Sequence, residues 1–309
     1  MAADGESGRR RWLVTGGSGQ VGRALAETRL PDGVELAMPP RAALDLAAPP
    51  DLDALIAASG ADLIVNCGAY TAVDRAESEP ELALAVNGRA PALLAGAAAR
   101  AGIPIIHIST DYVFDGALKT RAYREDDLTG PTNIYGRTKL AGERAVLDSD
   151  ADALVLRTAW VLSPFGHNFL KTMLRLGRER EELRVVADQI GNPTSAHAIA
   201  GAIARVGERL TADAGAQRGI FHFVNSGEAS WHDLARHIFA RAARHSRAAP
   251  RVTAIATSDY PTPAARPANS RLDTGRIEAA YGITPGDWRE AVDAIVDRLC
   301  REEDMGGRA

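Results

Sequence analysis

The sequence predicts an α/β fold built on a doubly wound parallel sheet, with a smaller domain toward the C-terminus. Three observations carry this expectation. Short β-prone apolar runs alternate with longer alanine-rich stretches of helical period over the first 160 residues, the pattern of successive βαβ units. A glycine-rich turn, Gly16-Gly17-Ser18-Gly19-Gln20-Val21-Gly22, separates the first strand from the first helix. Beyond Trp160 the alternation loosens into short strands, helices and a proline-rich stretch.

Residues 12–15 read as a strand and 20–29 as a helix; 34–38 is a second strand, and a helix over 51–59 starts after Pro49-Pro50. Residues 63–66 form a buried strand, 80–101 are helical, and 103–109 are again a strand. A helix over 135–147 and a strand over 153–157 complete the regular part. Right-handed crossovers would place helices on both faces of the sheet. Farther on, helices are expected over 168–178 and 194–210, and strands over 184–187 and 220–224. A helix opens at Ser230-Trp231, and a last one runs from Asp287-Trp288 to Cys300. The prolines of 260–267 exclude a central strand there.

Composition excludes several function classes. Of 309 residues, 46% are hydrophobic and 25% charged, enough for a real core. A net charge of -4 argues against a nucleic-acid partner or an anionic membrane surface. Cys67 and Cys300 stand far apart and suggest neither a disulfide framework nor a zinc site, which fits a reducing cytoplasm. No apolar run is expected to reach the roughly 18 residues of a membrane span. The polar start ending in Arg9-Arg10-Arg11 reads as a solvated tail and not as a secretory signal. His232 and His237 show no metal-ligand spacing and read as surface residues.

Glycines at 16, 19 and 22 would let the chain turn tightly, approach a pyrophosphate and pack helix against strand. The expected organisation is therefore a disordered tail over residues 1–11, an NAD(P)-binding Rossmann-type domain over 12–160 to which later segments return, and a mainly substrate-binding α/β domain over 161–309. The end of the second strand, Met38-Pro39-Pro40-Arg41, carries no acid for a ribose diol and an arginine just beyond. That favours NADPH, with NADH also accepted. Asp45 and Leu46 are candidates for the adenine edge, and Asn66 to Thr71, including Ala69 and Tyr70, would line the pocket toward the nicotinamide ribose.

Tyr135-Gly136-Arg137-Thr138-Lys139 puts a phenol and an ammonium on one helix face. Only three of the 36 basic residues are lysines, so a Tyr-x-x-x-Lys match is expected by chance only about 0.06 times. Carbonyl reduction by hydride needs a proton donor, and a nearby ammonium eases proton loss from a phenol. A guanidinium is larger and aimed differently, so arginine is no equivalent. Lys119 and Lys171 carry no such argument and read as surface charges. Thr110, at the end of the 103–109 strand, supplies the expected hydroxyl, and Asp111 a substrate contact.

Together these segments resemble the dTDP-4-dehydrorhamnose reductase family of extended short-chain dehydrogenase/reductases, over residues 12–299. The specific stretches are Asn66 to Glu79, Ser109 to Gly116, Arg157 to Val161 with Asn168-Phe169, Asp188 to Thr194, and Arg266 to Leu272. The resemblance implies reduction at C4 of a dTDP-4-keto-6-deoxy sugar. In it Tyr135 is the proton donor, Lys139 its electrostatic partner and ribose anchor, and Thr110 tunes the site. Thr110, Asp111, Val73 and Trp160 would contact the sugar, with Trp160 packing on its face, and a monomer or homodimer is expected. Asp111 is followed by Tyr112, without the acid that 4,6-dehydratases place there for elimination. Some members of the family dimerise through Mg2+ held by glutamates; here the corresponding positions read Ala24 and His197, so nothing in the sequence supports a metal. Two alternatives stay open: another nucleotide-sugar reductase or epimerase, and a partner-binding role like that of the regulatory subunit of methionine adenosyltransferase.

Overall fold

Buried strands alternate their side chains between two helical layers. In the computed structural model, which describes residues 9–247 and 249–306, strands β1 (Arg10–Thr15), β2 (Val34–Ala37), β3 (Leu63–Asn66), β4 (Ile105–Thr110) and β5 (Ala153–Thr158) form one parallel sheet. Two later strands, β6 (Glu182–Val186) and β7 (Gly219–His222), follow, and β7 returns to this sheet. The order is β7-β5-β4-β3-β1-β2, so the connection changes direction between β1 and β3, the point at whose carboxyl ends sheets of this kind bind ligands. Trp12, Val14, Leu63, Val65, Leu154 and Phe221 face one core, and Leu13, Ile64, Ile105 and Val155 the other. Each such apolar side chain taken fully from water contributes on the order of 1.5–3 kcal/mol.

The helices are α1 (Gln20–Glu27), α2 (Leu52–Ser59), α3 (Pro80–Ala101), α4 (Ile134–Leu147), α5 (Phe169–Glu179), α6 (Ala196–Ala212), α7 (Trp231–Ala243), α8 (Gly275–Tyr281) and α9 (Trp288–Gly306). α1 and α6 cover the Trp12 side, and α2, α3 and α4 the Leu13 side. α3 contains one π turn, Ala85–Arg89, whose Asn87 carbonyl lies directly against Gly142 of α4. Asn133 caps α4, its side-chain oxygen accepting from the Gly136 amide at 2.8 Å. The C-terminal region packs α7 and α9 over a separate core around Leu234, Phe239, Trp288 and Val296, beside β6 and its parallel partner β8 (Arg251–Ile255).

Several expectations need correction. Arg10 and Arg11 belong to β1 and not to a tail; Arg11 pairs with Glu35 at 3.1 Å, and residues 1–8 lie outside the described ones. α3 is long and apolar enough to pass for a membrane span, with 22 residues and mean hydropathy 1.3, although no such segment was expected. It is a core helix: Ala90, Leu94, Ala95, Ala97 and Ala98 are buried against the sheet. β8, α8 and the short helix Val73–Ala76 add to the expected elements; being brief and stabilised by tertiary packing, they carry little periodic signal. His237 is half-buried, bonded to Asp293 of α9 at 2.9 Å, and His232 is half-buried too. Lys171 is also half-buried, its ammonium donating to the Pro164 carbonyl at 3.1 Å; Lys119 is exposed.

Candidate active site

The glycine turn leaves no room for side chains. Gly16 has φ +66°, and a Cβ there would stand 2.6 Å from Gly68 Cα, so the loops after β1 and β3 touch backbone to backbone. A Cβ on Gly22 would lie 2.5 Å from the Gly16 carbonyl oxygen. Gly19 precedes α1, whose first turn holds no acid and whose opening N–H groups receive no side-chain cap. These free donors and the bare glycine cradle fit a dinucleotide pyrophosphate. The Gln20 side chain turns elsewhere: its oxygen accepts from Ser163 at 2.7 Å and Asn168 at 2.9 Å, tying α1 to the start of the C-terminal region. Val21 is half-buried in the core under α1.

Around this cradle, Leu46 is buried against Gly68, while Asp45 accepts from the Ala47 amide and stands 3.6 Å from the exposed Arg41. Ala69 and Tyr70 are half-buried and Thr71 is exposed. Asn87 holds Tyr70 by both backbone groups, at 2.8 and 3.0 Å, and the Tyr70 hydroxyl donates to Glu79 at 2.5 Å.

α4 carries Tyr135 and Lys139 to the carboxyl end of β4. Tyr135 lies in a cluster with Ala76 and Ala83, flanked by Val73 and by Tyr112, whose ring meets it edge-on at 5.4 Å. Burial pushes its phenol up to about 12, against the pull of a hydrogen bond with Thr110. The Thr110 hydroxyl donates to Asp111 Oδ1 at 3.0 Å and accepts from the Tyr112 amide at 3.3 Å. Asp111 is 3% exposed, and its Oδ2 receives no hydrogen bond. Burial lifts its carboxyl to about 6, although the Ser270 and Thr110 hydroxyls favour the charged form. Lys139, 2% exposed, donates to the Ile108 carbonyl at 2.7 Å, and burial lowers its ammonium to about 8. The structure therefore brings Tyr135, Lys139, Thr110, Asp111 and Val73 together, with the glycine cradle at the neighbouring strand ends.

Trp160, expected to pack on the sugar face, is itself buried. It has φ +47°, its indole lies over Gly191, and it stacks on Trp231 at 3.5 Å with planes 7° apart. Trp231, which sequence reasoning read only as a helix opening, donates from Nε1 to Gln189 at 3.1 Å. The buried pair Glu143–Arg157 and the buried His107 carry only a weak signal in the sequence, because nothing local to any of them shows the partner it meets in the fold. Ala24 is fully buried and offers no ligand. His197 bonds Glu27 at 3.0 Å, and Arg298 joins it at 2.6 Å, holding the Glu27 carboxyl down to about 2. Among the described residues no three His, Cys, Asp or Glu side chains cluster as metal ligands would.

Gly136 lets α4 approach this closely, because a Cβ there would run into the Tyr112 carbonyl. Gly136→Ala should push the helix outward, destabilise the fold by about 1–3 kcal/mol in urea unfolding and part Tyr135 from Thr110. An unchanged unfolding midpoint would disprove the tight fit.

Comparison with known proteins agrees with this architecture. The RmlD substrate binding domain family matches residues 10–301. The dTDP-4-dehydrorhamnose reductase of Sinorhizobium fredii is 46% identical over 293 residues, covering 94% of this chain and 98% of that protein. The crystal structure of a dTDP-4-dehydrorhamnose reductase from Clostridium acetobutylicum superposes with a TM-score of 0.86 at 35% identity, covering 94% of this chain and 99% of that one. A third, from Bacillus anthracis in complex with NADP, gives 0.85 at 32% identity, with 94% and 99% covered. With its glycine cradle, its buried tyrosine and lysine, and near-complete coverage by these relatives, the chain belongs to the dTDP-4-dehydrorhamnose reductase family.

Proposed function

We propose that this protein reduces the C4 keto group of dTDP-4-dehydro-6-deoxy-L-mannose to give dTDP-L-rhamnose. The observation that carries the reading is the buried grouping of Tyr135, Thr110 and Lys139 at the carboxyl end of β4, beside an Asp111 oxygen with no partner. NADPH, when bound, supplies the hydride. The glycines at 16, 19 and 22, with the backbone of Gln20 and Val21, would hold its pyrophosphate; Asp45 and Leu46 would face the adenine side, and Ala69, Tyr70 and Thr71 the inner ribose. Arg41, exposed beyond β2, is available for a 2′-phosphate, which favours NADPH while NADH remains usable.

As the C4 carbonyl gains electron density, the Tyr135 hydroxyl donates its proton to the developing alkoxide. Burial keeps that proton on the phenol at neutral pH, as a donor requires. Thr110 holds the phenol in place, and the Lys139 ammonium offsets the negative charge left on Tyr135 while anchoring the ribose. Asp111 Oδ2 accepts from a sugar hydroxyl, which satisfies a buried acceptor otherwise left bare. Trp160 packs on the deoxy edge of the ring, its indole stiffened by Trp231. On this reading the six-stranded sheet binds the dinucleotide and the C-terminal region the sugar.

The test is to offer purified protein the dTDP-4-keto-6-deoxy sugar with NADPH or NADH and follow cofactor oxidation. Stoichiometric oxidation with dTDP-L-rhamnose as product is expected. Protein that carries bound NAD through purification and interconverts sugar epimers without net oxidation would sink the reductase reading.

A further inference from the structure

A polar row crosses three strands just behind the proposed catalytic lysine. Thr15 of β1 lies opposite Asn66 of β3, and Asn66 opposite His107 of β4, in the same register that aligns the apolar row Leu13, Ile64 and Ile105 two residues earlier. All three polar residues are buried, His107 completely. The Gly68 amide donates to Thr15 Oγ1 at 3.1 Å, Thr15 Oγ1 donates to Asn66 Oδ1 at 2.6 Å, and Asn66 Nδ2 meets His107 Nδ1 at 2.9 Å. The far ring nitrogen, Nε2, stands 3.5 Å from Lys139 Nζ.

The direction of this chain is set at its start. A backbone N–H can only donate, so the Thr15 oxygen accepts from Gly68 and passes its own proton to Asn66 Oδ1. Asn66 then has only its NH2 group to turn toward the imidazole, and Nδ1 must accept. The one proton of the neutral ring therefore sits on Nε2, facing Lys139. We infer that His107 is a positioning residue acting through Lys139: its Nε2–H fills one direction around Nζ with a donor, so the lysine holds its third proton loosely.

The other groups around Lys139 are consistent with this. From β4 the Ile108 carbonyl accepts one proton at 2.7 Å. Beyond β3 stands the Cys67 thiol, which burial pushes to about 12 and so keeps uncharged. On α4 itself, Tyr135 lies one turn before, neutral for the same reason, and Glu143 one turn after. Glu143 favours the ammonium, but Arg157 of β5 engages both its oxygens, at 2.9 and 2.7 Å, and balances its charge. Burial of His107 and the neighbouring lysine both keep the ring uncharged. With the Ile108 carbonyl as the acceptor and His107 offering a donor, the ammonium has more protons than acceptors to place them on, and the proton facing the ring is the least held.

The inference rests on the reading of Lys139 as the tyrosine's partner, and its test separates the two. In the wild-type protein, nitrogen-15 spectra of the histidines should show His107 as the Nε2–H tautomer, without titration between about pH 5.5 and 9. With three lysines in the chain, carbon-13 labelling at lysine Cε gives three signals, assigned with Lys119→Arg and Lys171→Arg. Asn66→Asp keeps the acceptor for Thr15 but presents an oxygen to Nδ1, which then carries the ring proton, as a carboxylate imposes on a catalytic histidine. Nε2 would face Lys139 as an acceptor, and the Lys139 titration should rise by roughly one pH unit, with the alkaline limb of kcat moving alongside. An Nδ1–H tautomer in the wild type, a ring titrating near its ordinary value, or a Lys139 titration unmoved by Asn66→Asp would overturn the inference. If the amine titration moves while the alkaline limb stays, the inference about His107 stands and the catalytic reading of Lys139 fails.

Discussion

Tyr135→Phe is expected to lower turnover by about 10²–10⁴-fold while leaving the fold and dinucleotide affinity intact. The ring keeps its neighbours Val73, Ala76, Ala83 and Tyr112, so packing changes little. What disappears is the hydroxyl beside Thr110, the proposed proton donor. Without it the alkoxide must draw its proton from water, in a site where Asp111 and Lys139 are themselves almost fully buried. Single-turnover oxidation of NADPH, compared with NADPH binding measured by fluorescence, separates the chemical step from cofactor affinity. Near wild-type turnover would remove Tyr135 from the mechanism.

Arg157→Met is expected to destabilise the protein by about 3–5 kcal/mol, the cost of leaving one member of a buried ion pair alone. Arg157 and Glu143 are 2% and 1% exposed, and the guanidinium meets both carboxylate oxygens. The guanidinium also lies 5.1 Å above the Phe114 ring. With methionine at 157, the Glu143 carboxylate loses its partner deep between α4 and β5, one turn from Lys139. Urea unfolding should show the loss, and the double variant Glu143→Leu/Arg157→Met should recover most of it, since replacing both charges removes the desolvation problem. A loss below about 1 kcal/mol for the single variant would mean that water or another cation reaches Glu143.

The two expectations differ in how visible they were beforehand. Tyr135 and Lys139 lie four residues apart on one helix, a relation that local geometry alone imposes. The pair stands out because lysine is so scarce in this chain. Thr110 and Asp111 were legible for a related reason: an apolar run ends there, and strand ends are where such sheets bind ligands. Arg157 gave no comparable sign. It stands near the end of a mostly apolar strand, and its partner lies on a helix 14 residues earlier. The same holds for Trp160, expected on the sugar face from the resemblance alone, whose stacking on Trp231, 71 positions on, no local pattern announces.

By itself the sequence determined the alternation of strands and helices, the glycine turn and the pairing of phenol with ammonium. All of these depend on residues within a few positions of one another, where period and spacing translate directly into direction. Only the tertiary structure decided which strands lie side by side, and with that the place of β7 at the sheet's edge beside β5. It also decided the register that sets Thr15, Asn66 and His107 in one row ending at Lys139. The physical reason is that a hydrogen bond between strands needs both partners at matching heights. Residues 15, 66 and 107 acquire that relation only when the chain has folded across itself twice.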